Sequence, residues 1–145
     1  MSKQELSALN PLTLPGKLES LSALGEYVLN AAEAANLDKK AAYRLRLAID
    51  EIATNSIVYG YNGANLEGML YLGGAIGETT LSVYLEDTAP PYDPTNRPEP
   101  DDLDEPLEER EIGGLGIFLA LKGVDQYLYE YTDGRNRNMF IMQRR

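Results

Sequence analysis

Between residues 88 and 112 the chain carries Pro90, Pro91, Pro94, Pro98, Pro100 and Pro106 together with a dense acidic run from Glu99 to Glu111, a composition that cannot nucleate a buried core. The core must therefore be assembled from the segments on either side. A structureless stretch of that length inside a compact domain is either functional or disordered. At 145 residues the chain has the size of one domain, and a domain of about 150 residues buries roughly 70% of its unfolded surface. One domain over residues 1–145 is expected.

The flanking segments show clear periodicities. Leu12 and Leu14 alternate before Pro15-Gly16, which reads as a short first strand ending in a turn. Leu21, Leu24, Val28 and Ala31/Ala32 then recur at helical spacing, predicting a helix near 20–35 with Ser20 or Ser22 as its cap and Asn36 as its stop. Asp38 opens a second helix whose stripe is Leu45, Ile49, Ile52, Ser56 and Tyr59, with Gly60 ending it and a loop over Tyr61 to Asn65. Residues 66–76 and 79–86 read as strands joined at Gly77-Glu78, with Leu81, Val83 and Leu85 on the buried side. Residues 125–132 and 137–143 form a second hairpin across Asp133-Gly134-Arg135-Asn136, with Tyr127, Tyr129 and Tyr131 as a packing stripe. Early helices, two hairpins and a glycine-led helix between them predict an α+β two-layer sandwich: a mixed, mostly antiparallel sheet with helices on one face.

Composition excludes several chemistries. With no cysteine and no histidine, the chain has no disulfide, no cysteine zinc site and no imidazole base. Acid and base chemistry must come from carboxylates, lysine or tyrosine. The formal charge of −10, from 23 acidic and 13 basic side chains, repels a phosphate backbone and argues against direct nucleic-acid binding. Basic protein partners stay open. Neither a signal-like N-terminus nor an apolar run long enough to span a bilayer is present, so a soluble cytoplasmic protein with no membrane role is expected.

Within the second helix, Glu51 and Asn55 stand four residues apart and project from one edge of the apolar stripe. Such a pair can hold a metal and a water, although helix edges also carry Glu and Asn for solubility alone. Asp87 ends a strand, where Asp also starts turns. Ile112-Gly113-Gly114-Leu115-Gly116-Ile117-Phe118 opens an apolar helix with a glycine cluster, an arrangement that cradles phosphates or simply makes a tight turn.

The three motifs together, in this order, resemble the gyrase, heat-shock chaperone, histidine kinase and mismatch-repair ATPase superfamily, and within it the anti-sigma-factor serine/threonine kinases. Leu45 to Tyr61 looks like that family's N-box, Asp87 to Pro94 like its first glycine box, and Gly113 to Phe118 like its second. The similarity covers the chain from about Leu12 to Gln143, and it lies in the ordered set of motifs.

The resemblance implies ATP and Mg²⁺ as cofactors. It implies Glu51 as general base and Asn55 as Mg²⁺ ligand. Asp87 would accept the adenine amino hydrogen bond, with Ala89 and Tyr92 in the same box. Gly113, Gly114, Leu115 and Gly116 would approach the phosphates, and 94–112 would be the nucleotide lid. Ala89 stands where the family usually has glycine, so its Cβ is expected to crowd adenine, or to strain the backbone if φ must be positive. Asn138 stands roughly where relatives carry an adenine-holding threonine. Ile112 replaces an arginine of some relatives, leaving Arg110 as the nearest candidate cation.

The implied function is phosphorylation of a serine on an anti-sigma-factor antagonist, with sequestration of a sigma factor when that antagonist is unavailable. A homodimer through the N-terminal segment is a further implication. The alternative is a catalytically weak or inactive nucleotide-gated module that sequesters a sigma factor or other regulator. A histidine kinase half ranks last, since the chain has no histidine to phosphorylate.

Overall fold

The computed structural model describes residues 7–94 and 114–144, with no side-chain description for Gly114 and Leu115. The chain runs β1 (Ser7–Ala8), β2 (Leu12–Pro15), a 3₁₀ turn (Leu18–Ser20), α1 (Leu21–Ala34) and α2 (Lys39–Asn55), which continues as a π-helical segment (Ser56–Asn62). There follow β3 (Met69–Ile76), β4 (Thr80–Asp87), α3 (Gly114–Leu121), β5 (Gln126–Thr132) and β6 (Arg135–Gln143). The strands form one six-stranded sheet in the order β1-β3-β4-β6-β5, with β2 also paired to β3. Every described ladder is antiparallel. The α+β architecture expected from the sequence is thus the one observed.

Local chemistry sets the helix boundaries. After Ala35, Asn36 takes a left-handed conformation (φ 63°), and Asn36 N–H and Leu37 N–H return to Glu33 O and Ala32 O, both at 3.0 Å. This is a Schellman closure with asparagine in the position glycine usually fills. Asp38 caps α2 by accepting from Ala41 N–H at 2.7 Å. Ser20 precedes α1 without a capping bond; its hydroxyl instead donates to Pro15 O at 2.7 Å.

Gly60 does not end the second helix, as its sequence context suggested. The helix passes through it as a π-helical turn to Asn62, and the wider turn changes which side chains face inward. Tyr59, expected in the apolar stripe, is 56% exposed, while Ile57 and Tyr61 are buried. The Tyr61 hydroxyl donates to Met69 O at 2.7 Å and accepts from Thr88 N–H at 2.8 Å. Its ring fills a slot between Gly16 and Gly68, where a Cβ on Gly16 would lie 2.6 Å from the ring carbons. A residue expected in a loop therefore ties the end of α2 to the end of β2, the start of β3 and the β4 exit.

Leu24, Val28, Leu45, Ile49 and Ile52 of the helices meet Leu70, Leu72, Leu81, Val83, Leu85 and Phe140 of the sheet in the core, each such buried side chain contributing about 1.5–3 kcal/mol relative to exposure. Helix α3 adds Ile117 and Ala120 to the same cluster. Strand β6 starts at Arg135, two residues earlier than expected, because Asp133 (φ 55°) and Gly134 (φ 74°) alone make the turn. Two left-handed residues in succession are the signature of a type I′ hairpin. On the sheet face away from the helices, Glu86 pairs with Arg137 at 2.7 Å and Arg135 at 3.0 Å, and Arg135 stacks on Tyr71 at 3.9 Å. The Glu86–Arg137 cross-strand pair locks the register that places Asp87 opposite Asn136.

Candidate functional site

A cleft of about 170 Å³ opens where α2 and its π-helical continuation leave the sheet. Ile52, Asn55, Ser56, Tyr59 and Gly60 form its helical wall, and Asp87, Ala89 and Pro90 to Tyr92 form its loop wall. Asn136 and Asn138 line it from the sheet. Five of the residues singled out by sequence, Asn55, Asp87, Ala89, Tyr92 and Asn138, thus meet in one place.

Asp87 is the polar centre of this cleft and is 1% exposed. Its Oδ1 accepts from Ala89 N–H at 2.9 Å and from Asn136 Nδ2 at 2.8 Å, while Oδ2 accepts from the Ser56 hydroxyl at 2.8 Å. A buried carboxylate is tolerable only with such donors around it. The Ser56 bond ties α2 directly to the end of β4.

Asn136 was not singled out by the sequence. Its amide nitrogen also donates to Ala89 O at 3.0 Å and Pro90 O at 3.1 Å, and its Oδ1 accepts from Tyr92 N–H at 3.0 Å and from the Tyr129 hydroxyl. One side chain therefore anchors the carboxylate and the segment that follows it. Asn138 donates to Leu85 O at 3.1 Å and accepts from the Tyr127 hydroxyl. Burial, then the negative charge of Asp93, pushes the Tyr127 phenol well above its ordinary pKa, which keeps it a donor. Of the expected tyrosine stripe, Tyr127 packs against Phe140 at 5.3 Å between ring centres, whereas Tyr131 is 47% exposed; Tyr127 and Tyr129 also orient the two asparagines. The signal for Asn136 was present in Asp133-Gly134, since a two-residue turn fixes the register of β6.

Ala89 is 2% exposed. The left-handed non-glycine positions among the described residues are Asn36, Asn65 and Asp133, so Ala89 carries no strain of the kind its replacement of glycine suggested.

Glu51 lies one turn before Asn55 and faces the start of α3 rather than lining the cleft. A Cβ on Gly116 would sit 2.7 Å from Glu51 Oε1, so the bare glycine lets the carboxylate approach the first turn of α3. Burial, reinforced by the Asp50 charge, raises the Glu51 pKa. Gly113, Arg110, Ile112 and all of the 94–112 lid except Pro94 lie outside the described residues, and Pro94 itself lines the cleft. Among the described residues no group of three or more His, Cys, Asp or Glu converges. A divalent cation here would rely on a neutral amide oxygen such as that of Asn55 and on oxygens of a bound ligand, a donor set that suits Mg²⁺. No helix among the described residues is long and apolar enough to cross a membrane.

Comparison with known proteins agrees with this fold. A family model described as a histidine kinase-like ATPase domain matches residues 14–144. The serine-protein kinase RsbW of Listeria monocytogenes serovar 1/2a is 32% identical over 127 residues, covering 85% of this chain and 80% of that protein. The protein of the same name from Listeria innocua serovar 6a shows the same identity and coverage. Among solved structures, the histidine kinase domain of the Erythrobacter litoralis EL346 blue-light activated histidine kinase superposes with a TM-score of 0.50 at 19% identity. That match covers 82% of this chain but only 60% of the other, and it is a likeness of fold.

Proposed function

Because this chain belongs to the histidine kinase-like ATPase domain family, we propose that it binds ATP with Mg²⁺ beside Asp87 and acts as a serine/threonine protein kinase. Its substrate in this reading is an anti-sigma-factor antagonist, and it sequesters a sigma factor when that antagonist is unavailable. The observation that carries the reading is the Asp87 carboxylate, buried and held by three donors at the end of a cleft that also presents Asn55. The 32% identity to serine-protein kinases supports the choice of reaction.

The roles follow from chemistry. Adenine has an amino group at C6 where guanine has a carbonyl, so a carboxylate acceptor favours ATP over GTP. Asn136 and Ser56 hold that acceptor in place, and Ala89, Tyr92 and Asn138 bound the space beside it. Asn55 is the residue to hold Mg²⁺, which when bound neutralises phosphate charge. In this reading the backbone of Gly114, Leu115 and Gly116 approaches the phosphates, favoured by the positive end of α3. Glu51, with its raised pKa, takes the proton of the attacking serine hydroxyl, a role in which a stronger base helps.

The test is transfer of label from the γ-phosphate of Mg-ATP to the cognate antagonist. Glu51→Gln is expected to lower transfer by about 10²–10⁴-fold, the usual contribution of a general base, while Mg-ATP still binds. Full transfer by that variant removes Glu51 from the mechanism. Tight binding by the unsubstituted chain with no transfer to any antagonist identifies a nucleotide-gated binding module instead.

A further inference from the structure

Gly60 and Ala89 meet across the cleft, and both line it. A Cβ placed on Gly60 would lie 2.8 Å from the Ala89 Cβ, and that methyl is its one non-local neighbour within 4 Å among the described residues. Ordinary contact between such atoms begins near 3.4 Å. The glycine is not needed for its backbone freedom, since the positive-φ glycines among the described residues are Gly74 and Gly134. It is needed for space.

Ala89 cannot retreat from this contact. Its N–H is held by Asp87 Oδ1 at 2.9 Å and its carbonyl by Asn136 Nδ2 at 3.0 Å. Gly60 is fixed in turn, because the π-helical turn that contains it is anchored on one side by Ser56 to Asp87 and on the other by Tyr61 to Met69 and Thr88. Any side chain added at 60 must therefore push the segment that follows Asp87.

We propose that Gly60 and Ala89 are a coupled pair that shapes the cleft for the ligand it takes. The absent side chain at 60 makes room for the methyl at 89, and the two together set the width of the cleft at its Asp87 end. This rests on the nucleotide reading above and adds to it Gly60, whose missing side chain fixes where the Ala89 methyl can sit.

The test is a double-variant cycle of Gly60→Ala, Ala89→Gly and the two combined, read by the Kd for fluorescent mant-ATP with Mg²⁺ and by Tm without nucleotide. Gly60→Ala is expected to weaken binding about tenfold or more and to lower Tm, on the scale that overpacking produces. Ala89→Gly takes the methyl out of the cleft wall and is itself expected to weaken binding about threefold or more, with Tm little changed. The double variant is expected to regain most of both losses, because the single obstructing atom is gone. Where Gly60→Ala alone fails to fold, recovery of folding and binding in the double variant is the same result. Additive losses overturn the pair, as does coupling in Tm with none in Kd, which leaves a packing contact only. No mant-ATP binding by the unsubstituted chain overturns the nucleotide reading itself, and binding without coupling overturns this pair alone.

Discussion

Asn136 and Asp87 face each other across the β4–β6 ladder, and the Asn136 amide donates to Asp87 Oδ1 over 2.8 Å. The same amide spans to Ala89 O and Pro90 O, so the carboxylate and the cleft wall are positioned by one side chain. Asn136→Leu keeps the branched shape of the side chain and removes every side-chain hydrogen bond. Leaving buried polar groups without partners costs about 1–3 kcal/mol, so nucleotide affinity is expected to fall about tenfold or more, as measured by calorimetry. Asn136→Asp sets a second carboxylate beside Asp87, and like charges raise each other's pKa. Its loss of stability is therefore expected to lessen as pH falls, in thermal melts across a pH series. A pH-independent loss would place the effect in shape rather than charge.

Glu51 and Asp50 are adjacent on α2, and burial raises the pKa of both. For Glu51 the Asp50 charge adds to the rise; for Asp50 the Arg46 charge opposes it. A base must be deprotonated to act, so the acid limb of kcat is expected above the ordinary glutamate range. Asp50→Asn removes the neighbouring charge and is expected to move that limb to lower pH. Stability has the opposite sense. The contribution of these two carboxyls is fully present below their unfolded pKa values and is lost as pH rises through the higher folded ones. Glu51→Gln is expected to flatten the stability profile across that window, as read by chemical denaturation.

Tyr61 joins the π-helical turn to Met69 and Thr88 through its hydroxyl. Tyr61→Phe keeps the ring in its slot and strands Met69 O and Thr88 N–H. The expected cost is about 1–3 kcal/mol of stability, with a smaller loss of nucleotide affinity through the displaced segment after Asp87. Equal stability by denaturation would mean that water replaces the hydroxyl.

Much of this was legible in the chain. The apolar spacings of α1, α2 and β4, the Asp38 cap and the Asn36 stop reflect local preferences that tertiary contacts reinforce. Gly60 misled because glycine is a helix stop by local preference, whereas here its lack of a Cβ answers to Ala89, a neighbour distant in sequence. Tyr59 and Tyr61 exchanged places because a π-helical turn shifts the buried face without any compositional mark. Asn136 was lost when the hairpin was read with four linking residues instead of Asp133-Gly134 alone. Asp87 and Asn55 were picked out through local motifs and Asn138 through the family resemblance; the hydrogen bonds that hold Asp87 come from the π-helical end of α2 and from β6.

The most direct measurement is calorimetric titration of the unsubstituted chain and of Asp87→Asn with Mg-ATP and Mg-GTP. Saturable 1:1 binding of Mg-ATP is expected, with Mg-GTP at least about tenfold weaker and that preference lost in Asp87→Asn. Failure to bind Mg-ATP, or binding Mg-GTP equally well, would contradict the assignment of the Asp87 cleft as an adenine nucleotide site.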